Sequence, residues 1–80
     1  MNIHISNLNS ETTAQQIADL FAPFGIATNS QVRTIADVSK NHMVTFAYVR
    51  MDNRSEAEAA TAKLDRSTFL GNVIHVSEAK

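Results

Sequence analysis

The segment Met43-Val44-Thr45-Phe46-Ala47-Tyr48-Val49-Arg50-Met51 is the clearest strand in the chain. It is dense in β-branched and aromatic residues. Polar stretches bound it, Asp37 to His42 before and Asp52-Asn53-Arg54-Ser55 after. Side chains alternate between faces of a strand, so Ala47, Val49 and Met51 point one way and Phe46, Tyr48 and Arg50 the other. The small and aliphatic set suits a face covered by helices. The other set does not suit an ordinary solvent face, which would carry Thr, Lys, Glu and Gln. Two rings at i and i+2 beside an arginine form a flat platform instead.

Working outward, Ile3-His4-Ile5-Ser6 alternates with period two and reads as a second half-buried strand, with Ile3 and Ile5 inward and His4 and Ser6 outward. Asn7 to Ser10 supply turn residues. Ser10 or Thr12 is expected to cap a helix over 12–25, whose stripe is Ala14, Ile17, Leu20, Phe21 and Phe24, with Pro23 in its last turn and Gly25 as its stop. Ile26 to Val38 alternates loosely, and a strand is expected near 30–36. Residues 37–42 read as a loop. After the central strand, Ser55 is expected to cap a second helix with Glu56 and Glu58 in its first turn, and Ala57, Ala60 and Leu64 form its buried stripe. A turn over Phe69-Leu70-Gly71-Asn72 leads into a last strand, Val73 to Ser77.

The order is β-α-β-β-α-β. It implies an α+β, ferredoxin-like βαββαβ sandwich: one four-stranded antiparallel sheet with both helices on one face and the other face open. Eighty residues make one domain, 1–80, with one thin two-layer core. The apolar fraction is 44% and the charged fraction 19%, the balance of a globular chain. There is no cysteine, which removes disulfides, thiolate metal sites and cysteine nucleophiles. No apolar run is long enough to span a membrane, and Met1 to Ile5 is not a signal peptide, so a cytoplasmic protein is expected. Seven Lys and Arg against eight Asp and Glu give a formal charge of −1, which by itself argues against nucleic acid, whose binders gain affinity by neutralising phosphates.

The residues nonetheless resemble the RNA recognition motif family. Its octamer, Lys/Arg-Gly-Phe/Tyr-Gly/Ala-Phe-Val-x-Phe/Tyr, lines up with Val44 to Met51. Its hexamer on the first strand lines up with Ile3-His4-Ile5-Ser6-Asn7-Leu8. Leu20 to Gly25, Ser55 to Ala60 and Leu70 to Val76 match further family segments in order and at the family's spacing, so the resemblance covers essentially the whole chain. It resembles the small single-motif RNA-binding proteins of bacteria, or one such domain of a larger protein. Three departures stand out. Val44-Thr45 replaces Lys/Arg-Gly, His4 takes the hexamer's aromatic position, and the loop before the third strand keeps only Lys40 and His42.

The resemblance implies that Tyr48 stacks a base, that Phe46 packs against a sugar or between nucleotides, and that His4 stacks with a smaller ring. Arg50 and Arg33 are candidates for phosphates or base edges. Ser6 and His75, on strands beside these, and Lys40, in the adjoining loop, complete the candidate set. Acidic residues gather on the helices (Glu11, Asp19, Glu56, Glu58, Asp65) and Arg33, Lys40, Arg50 and Lys80 lie at the sheet or the tail, so a bipolar molecule is expected. So few phosphate partners imply about micromolar affinity and a shallow salt dependence.

The expected activity is therefore binding of single-stranded RNA, two to four nucleotides laid across the sheet by a monomer. Single-stranded DNA remains an alternative ligand, because discrimination rests on contacts to the 2′-hydroxyl. The competing class is a protein–protein interaction domain on the same fold, which the near-neutral charge and altered octamer would suit and the two outward rings would not require. An enzyme of the acylphosphatase kind needs an arginine in a phosphate-cradling loop, and Asn7 to Thr13 has neither arginine nor glycine. No cofactor is implied, and His4 and His75 lack the third ligand a metal needs. Histidines on the binding face would gain protons in mildly acidic solution and strengthen binding to phosphates.

Overall fold

The computed structural model describes residues 1–80. Its elements are β1 (Asn2–Ser6), α1 (Ala14–Phe21), β2 (Ala27–Asp37), β3 (His42–Met51), α2 (Arg54–Leu64), β4 (Thr68–Phe69), β5 (Asn72–Val73) and β6 (His75–Glu78). Four strands form one antiparallel sheet in the order β2-β3-β1-β6, and β4 and β5 make a separate small hairpin. This is the βαββαβ sandwich expected, with β1 and β3 in the middle. Neither helix is long and apolar enough to cross a membrane.

The alternation in β1 and β3 fixes what is buried. Ile3 and Ile5, then Ala47, Val49 and Met51, point to the helices and join Val76 of β6. Against them pack Ile17 and Phe21 of α1 and Ala57, Ala60 and Leu64 of α2. Phe21, Ile3, Ile5 and Ile17 lose all contact with solvent, each contributing about 1.5–3 kcal/mol of transfer free energy. Small residues at 47, 57 and 60 let α2 approach the sheet closely.

The helix starts differ from the sequence reading. Thr13 caps α1: its hydroxyl accepts from the Gln16 amide at 3.2 Å, and the Gln16 side chain accepts from the Thr13 amide at 2.9 Å. Thr12 is unavailable, since its buried hydroxyl donates to the Asn9 carbonyl at 2.6 Å, and Ser10 lies in the preceding turn. Asn53, not Ser55, caps α2, accepting from the Glu56 amide at 3.0 Å, while Ser55 donates to the same Asn53 oxygen at 3.1 Å. Glu56 is the acidic residue of the first turn; Glu58 lies beyond it, 3.8 Å from Arg54. α1 stops at Phe21 because Pro23 has no amide to continue the ladder. A short 3₁₀ turn, Ala22–Phe24, follows. Gly25 then takes φ 154°, where a Cβ would run into the Glu56 carboxylate.

β2 is longer than expected, 27–37 rather than 30–36. Two features hide its period. A bulge between Thr28 and Gln31 sets two residues, Asn29 and Ser30, against the single Val49, with Asn29 at φ 55°. At the far end, successive residues Ile35 and Ala36 are both exposed, so neither face is covered there. The segment read as a loop over 37–42 is instead the end of β2, a 3₁₀ turn over Val38–Lys40, left-handed Asn41 and the start of β3. The last strand, expected at 73–77, is broken. Val73 belongs to the β4–β5 hairpin, whose turn is Leu70-Gly71, both at positive φ. Buried Ile74 bridges to the end of α2 by bonds to Ser67 and Arg66, and β6 begins at His75.

Candidate functional site

The open face of the sheet is built by the residues that alternate with the core. β1 and β3 are central, so their outward side chains lie mid-sheet. His4 stands opposite Tyr48 across the β1–β3 ladder. Its ring centre is 5.0 Å from that of Tyr48 and 5.8 Å from that of Phe46, tilted about 45° to each. Phe46 and Tyr48 meet edge to face, 87° apart with centres at 5.8 Å, a favoured aromatic arrangement. Phe46 and His4 are half-buried and Tyr48 is 40% exposed. Three rings in mutual contact therefore hold one another in place while their outer surfaces stay open.

The other predicted residues surround this triad. Arg33 stands opposite Phe46 on β2 and is exposed. His75 stands opposite Ser6, and Ser77 opposite His4, on the β6 side. Register thus brings His4, Ser6, Arg33, Phe46, Tyr48, Arg50 and His75 onto one face. Arg50 is not the unpaired cation that the sequence suggests. Its Nε donates to the Asp52 carboxylate at 2.8 Å, because residues two apart at the end of a strand share a face. That bond, then the guanidinium charge, holds the Asp52 carboxyl below its ordinary value. The bipolar pattern is correspondingly weaker at this edge. On the helix side, Arg54 pairs with Glu78 at 3.0 Å and lowers that carboxyl in the same way.

Lys40 lies off the sheet, in the turn after β2. It lines a groove of about 450 Å³ whose wall also carries His4, Ser6, His42, Phe46 and Asn72. His42, read from the sequence as part of the loop, opens β3 and shares this groove with His4. No cluster of three or more His, Cys, Asp or Glu side chains is placed to hold a metal ion.

On the far side of the triad, a second groove of about 440 Å³ runs beside Tyr48 and Arg50, lined also by Asn2, Asn29, Gln31 and Lys80. Sequence reasoning missed these carboxamides. Asn2 was within reach of it, being in phase with His4 on β1. Gln31 and Asn29 were not, because the bulge resets the phase of β2 and places Gln31 opposite Tyr48.

Known proteins are similar to this chain over its whole length. The family model of the RNA recognition motif matches residues 3–75. A candidate RNA-binding protein of Nostoc sp., RbpF, is 31% identical over 80 residues, which are all of this chain and 74% of that one. Among solved structures, the RNA-binding protein PG1 superposes with a TM-score of 0.81 at 29% identity, covering 99% of this chain and 93% of that chain. The third such domain of Mip6 superposes with a TM-score of 0.84 at 25% identity, covering 99% and 92%.

Proposed function

The chain belongs to the RNA recognition motif family, and from that premise we propose that it is a binding module for single-stranded RNA that carries out no reaction. Relatives named for RNA binding support RNA as the ligand in general. The observation that carries the finer reading is the contact triad of His4, Phe46 and Tyr48 on an uncovered sheet. A base stacked on an aromatic ring gains roughly 1–3 kcal/mol. Rings already fixed by one another lose little further freedom on binding, which favours ordered stacking. Two to four nucleotides cross the sheet, with Tyr48 stacking a base, His4 stacking a neighbour and Phe46 packing between them. Arg33, Arg50 and Lys40 approach phosphates, and Ser6 and His75 offer hydrogen bonds at the β6 side. Single-stranded DNA presents the same ring faces and differs at the 2′-hydroxyl.

The test is a titration of short random-sequence RNA into labelled protein, followed by amide chemical shifts. Shifts concentrated on β1, β3 and β6 around His4, Phe46, Tyr48, Arg50 and His75 are expected. A shift map confined to the helices would sink the reading.

A second reading, a protein contact, has one observation in its favour. At the end of the β2–β3 hairpin Val38 is 89% exposed, Met43 57% and Ile35 50%, more apolar surface than a solvated turn needs. It concerns a different part of the molecule from the triad. The same labelled sample reports it through shifts at Ile35, Val38 and Met43 on addition of a partner.

A further inference from the structure

The carboxamide side chains of this protein fall into two groups. Asn7, Asn9, Gln15, Gln16, Asn53 and Asn72 each make hydrogen bonds to other residues of the chain. Each is thereby accounted for as a cap, a turn brace or a strap between loops. Asn2, Asn29, Gln31 and Asn41 make none; Asn41 occupies the left-handed position before β3, and the other three line the groove beside Tyr48. Local folding does not require Asn2 or Gln31 there, whereas Asn29 suits the left-handed conformation of the bulge, a backbone state that Asn tolerates better than most residues.

Their placement around Tyr48 is two-sided. Gln31 stands directly opposite Tyr48 on β2. Asn2 lies on β1, on the other flank of β3, opposite Arg50 and so diagonal to Tyr48. A base lying on the Tyr48 ring would have one carboxamide at each side. A carboxamide offers one donor and one acceptor side by side, and it pairs with a base edge that offers the complement.

Resting on the single-stranded RNA reading above, we propose that this groove reads adenine. Adenine presents a donor and an acceptor on two edges, the 6-amino group with N1 and the 6-amino group with N7, so carboxamides on both flanks are satisfied together. Cytosine and uracil carry such an edge on one side only and a C–H on the other. Guanine carries two acceptors, O6 and N7, on its second edge, a pattern that suits an arginine fork rather than a carboxamide. The arginine here, Arg50, has its Nε committed to Asp52. Lys80 and Arg50 also line the groove, where their charge serves the adjoining phosphates.

The experiment measures dissociation constants of the full chain for the pentanucleotides UUAUU, UUGUU, UUCUU and UUUUU. The adenine probe is expected to bind tighter than the others by at least about fivefold, the lower value for one bidentate pair. In the double variant Asn2→Ala/Gln31→Ala that preference should fall below about twofold, the adenine probe losing more affinity than the uridine probe. Both side chains are exposed and make no internal hydrogen bonds, so the variant folds; Gln31→Glu, which keeps the size and removes the donor, serves as the second variant and should also lose preference. Equal binding of all probes, preference for another base, or a preference unchanged in both variants overturns the assignment. Tyr48→Ala separates the two levels: if no probe binds the wild-type chain, or if Tyr48→Ala leaves all four affinities intact, the sheet reading itself has failed.

Discussion

The inner and outer faces of β3 are one residue out of phase and chemically opposite. Ala47, Val49 and Met51 are at most 2% exposed, sealed under two helices. Phe46, Tyr48 and Arg50, on the same backbone and interleaved with them, face outward with nothing of the chain above them. The inner set is small or flexible, because α2 must come close. The outer set is large, flat and partly polar. A ring left at 40% exposure on a central strand forgoes burial energy. On the proposed function, one strand carries stability on one face and recognition on the other, and substitutions on the two faces should separate them.

The largest effect should come from the inner face. Ile5→Ala removes a fully buried side chain at the centre of the sheet and should cost about 2–5 kcal/mol in chemical denaturation. The RNA affinity of whatever fraction remains folded should be unchanged; a parallel loss of intrinsic affinity would break the separation. Next comes the outer face. Phe46→Ala should weaken RNA binding by about 1–3 kcal/mol, and, since Phe46 is only half-buried, it should lower stability less than Ile5→Ala does.

Smaller effects sharpen the picture away from both faces. Asn53→Ala deletes the cap of α2 and should lower stability by about 1 kcal/mol without touching affinity. Asp52→Asn frees Arg50, and RNA affinity in a binding titration should rise by up to about fivefold with stability nearly constant. The same pair predicts a pH effect of definite sign. The hydrogen bond from Arg50, then its charge, holds the Asp52 carboxyl below its ordinary value when folded. Its contribution to stability is therefore present above the unfolded value and disappears as pH falls through the depressed folded value. The smallest expected effect is favourable: Leu70→Asn relieves a non-glycine residue at φ 50° in the two-residue turn before β5 and should raise the melting temperature, by about 0.5–1 kcal/mol in stability.

How much of this was legible in the sequence follows from the same contrast. Where the two faces of an element differ in chemistry, phase could be read directly: β1, β3, and the stripes of α1 and α2. The ring triad followed from that phase and from the resemblance. Where neither face is buried, at Ile35 and Ala36, no period exists to be read, and a bulge at Asn29 erased it earlier in the strand. The caps were misplaced by one to three residues because Ser10, Thr12, Thr13, Asn53 and Ser55 offer interchangeable chemistry; the buried bond of Thr12 to Asn9, visible only in three dimensions, decides among the first three. The break at Ile74 arose because a buried residue continued the apolar pattern while its backbone bonded to the end of α2. Arg50–Asp52 and the Gln31–Tyr48 alignment depend on side-chain reach and cross-strand register, which one strand's sequence does not contain.

The central claim is that the exposed ring on the middle strand serves RNA binding far more than it serves the fold. The most direct test compares wild type with Tyr48→Ala in two measurements, affinity for a short single-stranded RNA and free energy of unfolding. The account expects affinity to fall about fivefold to a hundredfold with stability lowered by no more than about 1.5 kcal/mol, the worth of its ring contacts. Unchanged affinity in a stably folded variant would contradict it.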